Sequence, residues 1–263
     1  MKEGFLCPHC ASALVRGEHA YACGAGHSYD IARAGYVNLL AGKPPAVGDN
    51  REMIAARRRT LERGVYAPLR AAVAEAAELA PHGTLLDAGC GEGYYTEALE
   101  VGRESFGVDI SKDALKQAAK RLTHTELAVA SVYRLPFREN AFSLISCIFS
   151  PLAEEEYHRV LAPGGTLLLV IPGPRHLFEM KTILYETPYE NEVSPYDSLA
   201  GFRFLREREV GFRFLLTGQE AILDLFAMTP YYYRTPRAGR ERLASLERLE
   251  IGADFRVLSY RRE

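Results

Sequence analysis

Glycines alternate at 89, 91 and 93 directly behind the apolar Leu85-Leu86 and Asp87, and Tyr94-Tyr95-Thr96 follows. An apolar strand that runs into such a turn and then into a helix commits the chain to a βαβ unit. Glycine is needed there because the backbone must turn tightly and approach a ligand closely at the carboxyl end of the strand. Twenty residues after Gly89, Asp109 closes the next apolar run, where a carboxylate can accept hydrogen bonds from ribose hydroxyls. A nicotinamide fingerprint would place its third glycine one residue later than Gly93, and Asp87 suits a cofactor carrying a free amino group.

The rest of the chain extends the alternation. Strands are expected at 84–87, 105–110, 127–130, 142–149 and 165–171, with helices from near Gly93, at 112–122 behind a Ser111 cap, and at 154–161. Two helices, at about 50–63 and 66–80, precede this block, and residues 41–50 read as a Gly/Pro/Asp linker. Beyond Pro172 the expected order is a helix near 175–185, an irregular stretch to about 208, a strand at 210–216, a helix at 218–227 and a closing strand at 252–260.

The first 40 residues follow other rules. Cys7, Cys10, Cys23 and His27 form a C-x2-C-x12-C-x3-H pattern, and thiolates with imidazole suit zinc. Few apolar residues lie here to build a core, so bound metal is expected to supply the missing folding free energy. Four protein ligands leave no open position, which makes the site structural. His9 reads as a bystander, and His19 competes with His27 for the fourth position in an awkward register.

The chain of 263 residues is 48% apolar and 25% charged, enough for one large α/β domain plus an appendage. No run of about 18 apolar residues appears, and Met1-Lys2-Glu3-Gly4 is followed by no secretion-signal stretch, so a cytoplasmic protein without a membrane span is expected. Net charge is only -2, yet residues 1–70 hold ten Lys/Arg against six Asp/Glu while the remainder is acidic. A basic front points toward a polyanion, the alternative being a solvated helix face.

Asp87-x-Gly89-x-Gly91-x-Gly93, Gly107-Val108-Asp109-Ile110-Ser111, Leu135-Pro136-Phe137 and Arg159-Val160-Leu161-Ala162-Pro163-Gly164-Gly165 together resemble class I methyltransferases. That resemblance implies a Rossmann-like α/β fold with a seven-stranded mixed sheet, last strand antiparallel, and S-adenosylmethionine with Asp109 on its ribose. Two departures stand out. The acid that many relatives carry four residues before Leu-Pro-Phe is Ser131 here, which would have to meet the adenine amino group. The usual Phe-Asp before the fourth strand is Phe142-Ser143.

The flanks narrow the family. The cysteine knuckle, Asp30-Ile31-Ala32-Arg33-Ala34-Gly35-Tyr36-Val37-Asn38-Leu39-Leu40, Gly48-Asp49, Ala56-Arg57-Arg58, Tyr66-x-Pro68-Leu69, Pro172-Gly173-Pro174-Arg175-His176-Leu177 and Met228-Thr229-Pro230 resemble the bacterial 23S ribosomal RNA guanine-N1 methyltransferases, over nearly the whole chain. The resemblance implies a zinc-binding domain at 1–40, a linker and helical arm at 41–80 and a methyltransferase domain at 81–263. It also implies that Tyr66, Gly91, Glu92 and His176 touch the cofactor. Tyr66 could instead be a core aromatic, and His176 a helix-start residue. Arg57, Arg58 and Arg59, with Arg51, read as a phosphate-contacting ridge. Tyr231-Tyr232-Tyr233 reads as core rather than as a base-stacking platform.

Methyl transfer to a guanine N1 demands alignment with the sulfonium methyl and removal of the N1 proton. No side chain is assigned as that base. Ile148-Phe149-Ser150-Pro151-Leu152 lacks the Asn/Asp-Pro-Pro stretch usual after the fourth strand for exocyclic amines. N1 lies on the pairing edge, so a hairpin loop or a flipped base of 23S RNA is the expected partner, and a homodimer would clamp it between two heads. A small-molecule methyltransferase of the quinone type and a non-catalytic zinc RNA-binding module are the rival readings.

Overall fold

A computed structural model describes residues 4–42, 50–192, 196 and 198–263. Met1 to Glu3, most of the 41–50 linker and the Gly48-Asp49 pair lie outside the described residues. Along the chain run β1 (Leu14–Arg16), β2 (Ala20–Cys23), β3 (Ser28–Asp30), β4 (Tyr36–Asn38), α1 (Arg51–Glu62) and α2 (Ala67–Glu78). Then come β5 (Leu85–Ala88), α3 (Thr96–Leu99), β6 (Ser105–Asp109), α4 (Lys112–Arg121), β7 (Thr125–Val129), β8 (Phe142–Ile148), α5 (Glu154–Val160) and β9 (Leu161–Pro172). The chain closes with α6 (Phe178–Leu184), β10 (Phe202–Thr217), α7 (Gln219–Ala227), α8 (Tyr231–Arg234), α9 (Arg237–Ala244) and β11 (Arg248–Arg262).

The main sheet has the order β10-β11-β9-β8-β5-β6-β7-β4. β5, the strand behind the glycines, lies between parallel partners β6 and β8, and β11 runs antiparallel to β9. Seven of these strands make the mixed sheet of a class I methyltransferase with its last strand antiparallel. The eighth, β4, comes from the cysteine-rich N-terminal segment and pairs in parallel with β7. Ser111 caps α4 as expected, its hydroxyl accepting from the Ala114 amide at 3.2 Å.

The N-terminal head does have a core, but it is a shared one. Phe5 is 1% exposed and packs edge-on against Phe106 at 5.5 Å and Tyr21 at 5.4 Å, with Phe137 at 5.3 Å. The Leu6 amide donates to the Pro136 carbonyl at 2.7 Å, and the Tyr21 hydroxyl to Glu126 at 2.9 Å. Order in this segment therefore rests on docking to the large sheet as well as on metal, because its few apolar residues complete a core supplied from elsewhere.

The stretch expected to be irregular up to 208 is strand from Phe202 onward. β10 is an edge strand whose exposed arginines and glutamates mask the alternation, and its register slips between Phe204 and Arg206. Charge on an edge strand protects it against unwanted pairing, and the slip breaks the period of two that marks a strand. The tyrosine triplet forms α8, with Tyr231 buried in the core and Tyr233 exposed.

Candidate cofactor cleft and metal centre

Cys7, Cys10, Cys23 and His27 converge, their ligand atoms all within 4.8 Å of one another. Cys10 Sγ lies 3.7 Å from Cys23 Sγ, and His27 Nδ1 lies 3.5 Å from Cys7 Sγ and 3.4 Å from Cys23 Sγ. Those are the edges of a tetrahedron around zinc, which at metal distances of about 2.3 Å to sulfur and 2.0 Å to nitrogen come to about 3.8 and 3.5 Å. The donor set fits zinc and leaves no fifth place. Burial pushes the Cys7 thiol up, but the Tyr29 hydroxyl at 3.1 Å and the local backbone amides prevail and bring it down to about 6. Such hydrogen bonds to a ligand sulfur favour the thiolate that a metal requires. His19 stands apart, paired with Glu18 at the surface, which makes His27 the fourth member of the cluster. His9 stacks on the His27 ring at 5.1 Å and does not join the cluster.

The glycine turn is built as the sequence requires. Gly89, Gly91 and Gly93 have φ of +85°, +55° and +79°. At Gly89 space forbids a side chain too, since a Cβ would stand 2.4 Å from Ser150 Cβ. Asp109, at the end of β6, accepts from the Gly91 amide at 2.9 Å and from the Ser111 amide at 2.7 Å. Both carboxylate oxygens are thus fixed, and each retains lone-pair capacity for a ribose hydroxyl. Ser131 follows β7 at the same end of the sheet, its hydroxyl accepting from the Tyr133 amide at 3.3 Å.

Asp87 is buried beneath the turn. Thr96 Oγ1 donates to its Oδ2 at 2.5 Å and Ser146 Oγ to its Oδ1 at 2.8 Å. Burial pushes its carboxyl up to about 6 against the pull of those two hydroxyls. Glu92 is only 4% exposed and neither carboxylate oxygen has a hydrogen-bond partner. Arg121 lies 3.8 Å from it, and Arg58, Gln117, Lys120 and Arg121 join it around a cavity of about 240 Å³. Burial raises Glu92 to about 6, while Arg121, Arg57 and Arg58 oppose the shift. The Tyr95 hydroxyl is likewise buried without a partner. Buried polar atoms left unsatisfied call for an explanation.

Tyr66 and His176 meet, ring centroids 6.4 Å apart, both packed on Phe255 at 5.3 and 4.4 Å. Tyr66 is 3% exposed, so its ring belongs to the core. His176 Nδ1 accepts from the Asp254 amide at 3.3 Å, and burial with the charge of Lys181 pushes the ring down to about 3. It is a neutral imidazole.

The four arginines do not form one ridge. Arg51 reaches Asp113 at 3.1 Å, and Arg58 reaches Glu62 at 2.7 Å and Gln117 at 3.0 Å. Arg59 turns to the opposite side of α1 and binds Asp224 of α7. Arg57 is half-buried, and its charge acts on Glu92, Tyr66 and Tyr95. Three groups went unanticipated: Thr96 and Ser146 on Asp87, and Phe149 at the end of β8. Ser146 carried a signal, being a hydroxyl within the otherwise apolar run Leu144-Ile145-Ser146-Cys147-Ile148.

Comparison with known proteins agrees with this geometry. Residues 86–169 match the family model of a methyltransferase domain, and residues 5–43 match a zinc-ribbon model described as "RlmA, N-terminal". The chain is 33% identical to "Putative 23S rRNA (guanine-N(1)-)-methyltransferase YxjB" of Bacillus subtilis (strain 168), over 97% of this chain and 95% of that one. It is 38% identical to the 23S rRNA (guanine(748)-N(1))-methyltransferase of Streptomyces fradiae, over 66% of this chain and 65% of that one. A human mitochondrial protein named an arginine hydroxylase is 34% identical over only 43% of this chain and 36% of its own. Among solved structures, the YcgJ protein of Bacillus subtilis aligns with a TM-score of 0.50 at 16% identity, over 74% of this chain and 98% of that one, a likeness of fold. The cleft is that of an S-adenosylmethionine-dependent methyltransferase, and the Cys3His cluster is a structural zinc site. Among the described residues no helix is long and apolar enough to cross a membrane.

Proposed function

The chain belongs to the 23S rRNA (guanine-N1)-methyltransferase family, and from that premise we propose that it methylates N1 of a guanine in a hairpin loop of 23S ribosomal RNA. The observation that carries this reading is the junction of head and cleft. The zinc head is bolted by Phe5 and Leu6 to the loop containing Pro136 and Phe137, which follows Ser131 at the cofactor end of β7. A small-molecule enzyme has no use for such a head beside its cofactor edge, and a non-catalytic RNA module has no use for the Asp87 and Asp109 constellation.

S-adenosylmethionine brings an electrophilic methyl group on a sulfonium. In the proposed site Asp109 holds the ribose hydroxyls, Ser131 faces the adenine side, and Asp87 and Glu92 supply negative charge for the methionyl ammonium. Gly89, Gly91 and Gly93 let backbone come close, and Tyr66 and His176 close the opposite wall. The neutral imidazole of His176, with Nδ1 engaged by the Asp254 amide, offers an Nε2–H donor rather than a base. Arg51 and Arg58, whose partners lie at the surface, are proposed to exchange them for RNA phosphates, and Arg57 to bridge cleft and RNA. Arg59, committed to a buried carboxylate, is left out of the proposed RNA contact. A cytoplasmic location and a homodimer clamping one hairpin belong to the same proposal, the latter checked by light scattering with and without RNA.

The test is methyl transfer from labelled S-adenosylmethionine to protein-free 23S RNA lacking its native modifications, followed by digestion and nucleoside mass spectrometry. A 1-methylguanosine peak is the expected outcome. Cofactor binding without any RNA labelling would sink the RNA reading in favour of a small-molecule acceptor.

A further inference from the structure

Phe149 is a phenylalanine in a place that suits neither its backbone nor its side chain. It follows β8 directly, with φ of +55°, a left-handed conformation that costs any residue with a Cβ. The residue is 47% exposed although β8 is almost wholly buried. Neither strain nor exposure of a large apolar ring is explained by packing. Strained backbone tends to be retained where function needs a side chain held at one angle.

The surroundings say which function. Ser150, the next residue, lies against the cofactor turn: its hydroxyl donates to the Ala88 carbonyl at 2.5 Å, and its Cβ fills the space a side chain at Gly89 would need. Phe149 therefore stands beside the point where the cofactor cleft opens. Its ring lies 6.2 Å from Tyr95 and 5.4 Å from Phe255, and Phe255 carries His176 and Tyr66. It is the solvent-facing member of an aromatic cluster in which Tyr66 and Phe255 are buried.

We propose that Phe149 is the stacking platform for the acceptor, a purine base extruded from the RNA and laid flat on the exposed ring at the mouth of the cofactor cleft. The inference rests on the RNA reading above. Aromatic rings bind unstacked bases by their π-faces whatever the sequence, so the platform positions the base while other contacts choose it. The left-handed turn is what lifts the ring out of the plane of β8 toward solvent.

The experiment compares wild type with Phe149→Ala, Phe149→Gly and Phe149→Tyr. It measures cofactor affinity by calorimetry, thermal midpoint, and kcat and KM for 1-methylguanosine formation. Phe149→Ala and Phe149→Gly are expected to bind S-adenosylmethionine within about twofold of wild type yet lose about 10- to 100-fold in kcat/KM for RNA, the range set by one lost stack. Phe149→Tyr is expected to recover most of that loss. Phe149→Gly should also melt no lower than wild type, since glycine adopts the positive φ freely, and that separates a lost platform from a damaged fold. Unimpaired RNA methylation in Phe149→Ala, or cofactor affinity falling in step with activity, would overturn the proposal. Wild-type protein that forms no 1-methylguanosine at all would instead bring down the RNA reading, and this inference with it.

Discussion

Arg59 and Asp224 are joined by two nearly parallel hydrogen bonds, Nη2 to Oδ1 at 2.5 Å and Nε to Oδ2 at 2.9 Å. Arg63 adds a third at 2.7 Å, so one buried carboxylate ties α1 to α7. Burial alone would raise Asp224, but the two guanidinium groups outweigh it and hold the carboxyl below its usual range. Removing the acid strands two cations that remain partly in water, so Asp224→Ala should cost about 2 kcal/mol, below the full penalty for breaking a buried pair. A depressed carboxyl stabilises the fold above its unfolded value and loses that contribution as pH falls through the lower folded one. Denaturant melts should therefore show wild type and Asp224→Ala converging in strong acid, below about pH 4. A constant difference down to pH 2 would contradict the pairing.

The same bond sorts the arginines. Arg59→Ala should lower stability and leave the salt dependence of RNA binding unchanged, whereas Arg58→Ala should leave stability nearly unchanged and reduce the logarithmic salt slope by about one. Titrations of RNA affinity between low and moderate salt check both. Equal slopes in the two variants would remove Arg58 from the RNA surface.

Asp87 should respond to pH in the opposite sense. Its carboxyl is raised to about 6 by burial, so the stability it contributes is present below the ordinary value near 3.8 and is lost as pH rises through about 6. Without cofactor, Asp87→Asn should be more stable than wild type at pH 8, by at most ~3 kcal/mol, and indistinguishable near pH 4. The asparagine can still accept from Ser146 or Thr96, so the fold is kept. Cofactor affinity should fall at least about tenfold in the variant, the loss of a charge-assisted contact. Calorimetry at pH 8 reads the second effect; an unchanged affinity would make Asp87 a purely internal anchor.

Zinc is predicted to be felt in the cofactor cleft. Cys10 is the exposed thiol of the cluster, so Cys10→Ser removes one ligand without opening a cavity. Loss of metal should loosen Phe5 and the Leu6–Pro136 hydrogen bond, and with them the loop beyond Ser131. S-adenosylmethionine affinity should weaken about 5- to 20-fold, a modest coupling between sites, with zinc content measured alongside. Stoichiometric zinc loss with undiminished affinity would show the head to be thermodynamically separate.

The parts legible in the sequence are those written in consecutive residues. The glycine turn, Asp109 and the Cys3His spacing each state their geometry within a few positions, because turn sterics and metal coordination act locally. What stayed hidden depends on partners far along the chain. Phe5 reads as one aromatic in a polar segment until Phe106 and Phe137 arrive beside it, and Tyr36-Val37-Asn38 becomes a strand only because β7 offers an open edge. Arg59 looks like its neighbours Arg57 and Arg58 until α7 places Asp224 against it. The positive φ of Phe149 has no composition signal at all, since glycine or asparagine is the residue such a position usually advertises.

His176 offers the sharpest test of the cleft's electrostatics. Burial and the positive charge of Lys181 push its ring down to about 3. A depressed histidine stabilises the fold above its ordinary value near 6.5, and that contribution is lost as pH falls toward about 3. Wild type should consequently lose up to about 1.4 kcal/mol per pH unit from this group between those limits, a slope that His176→Phe abolishes. Nitrogen NMR on labelled protein should show Nε2 protonated and Nδ1 bare at pH 7, because Nδ1 accepts the Asp254 amide. His176→Phe should then weaken cofactor binding through loss of the donor. A His176 resonance titrating near 6.5 would show that the imidazole is solvated and not the neutral donor proposed here.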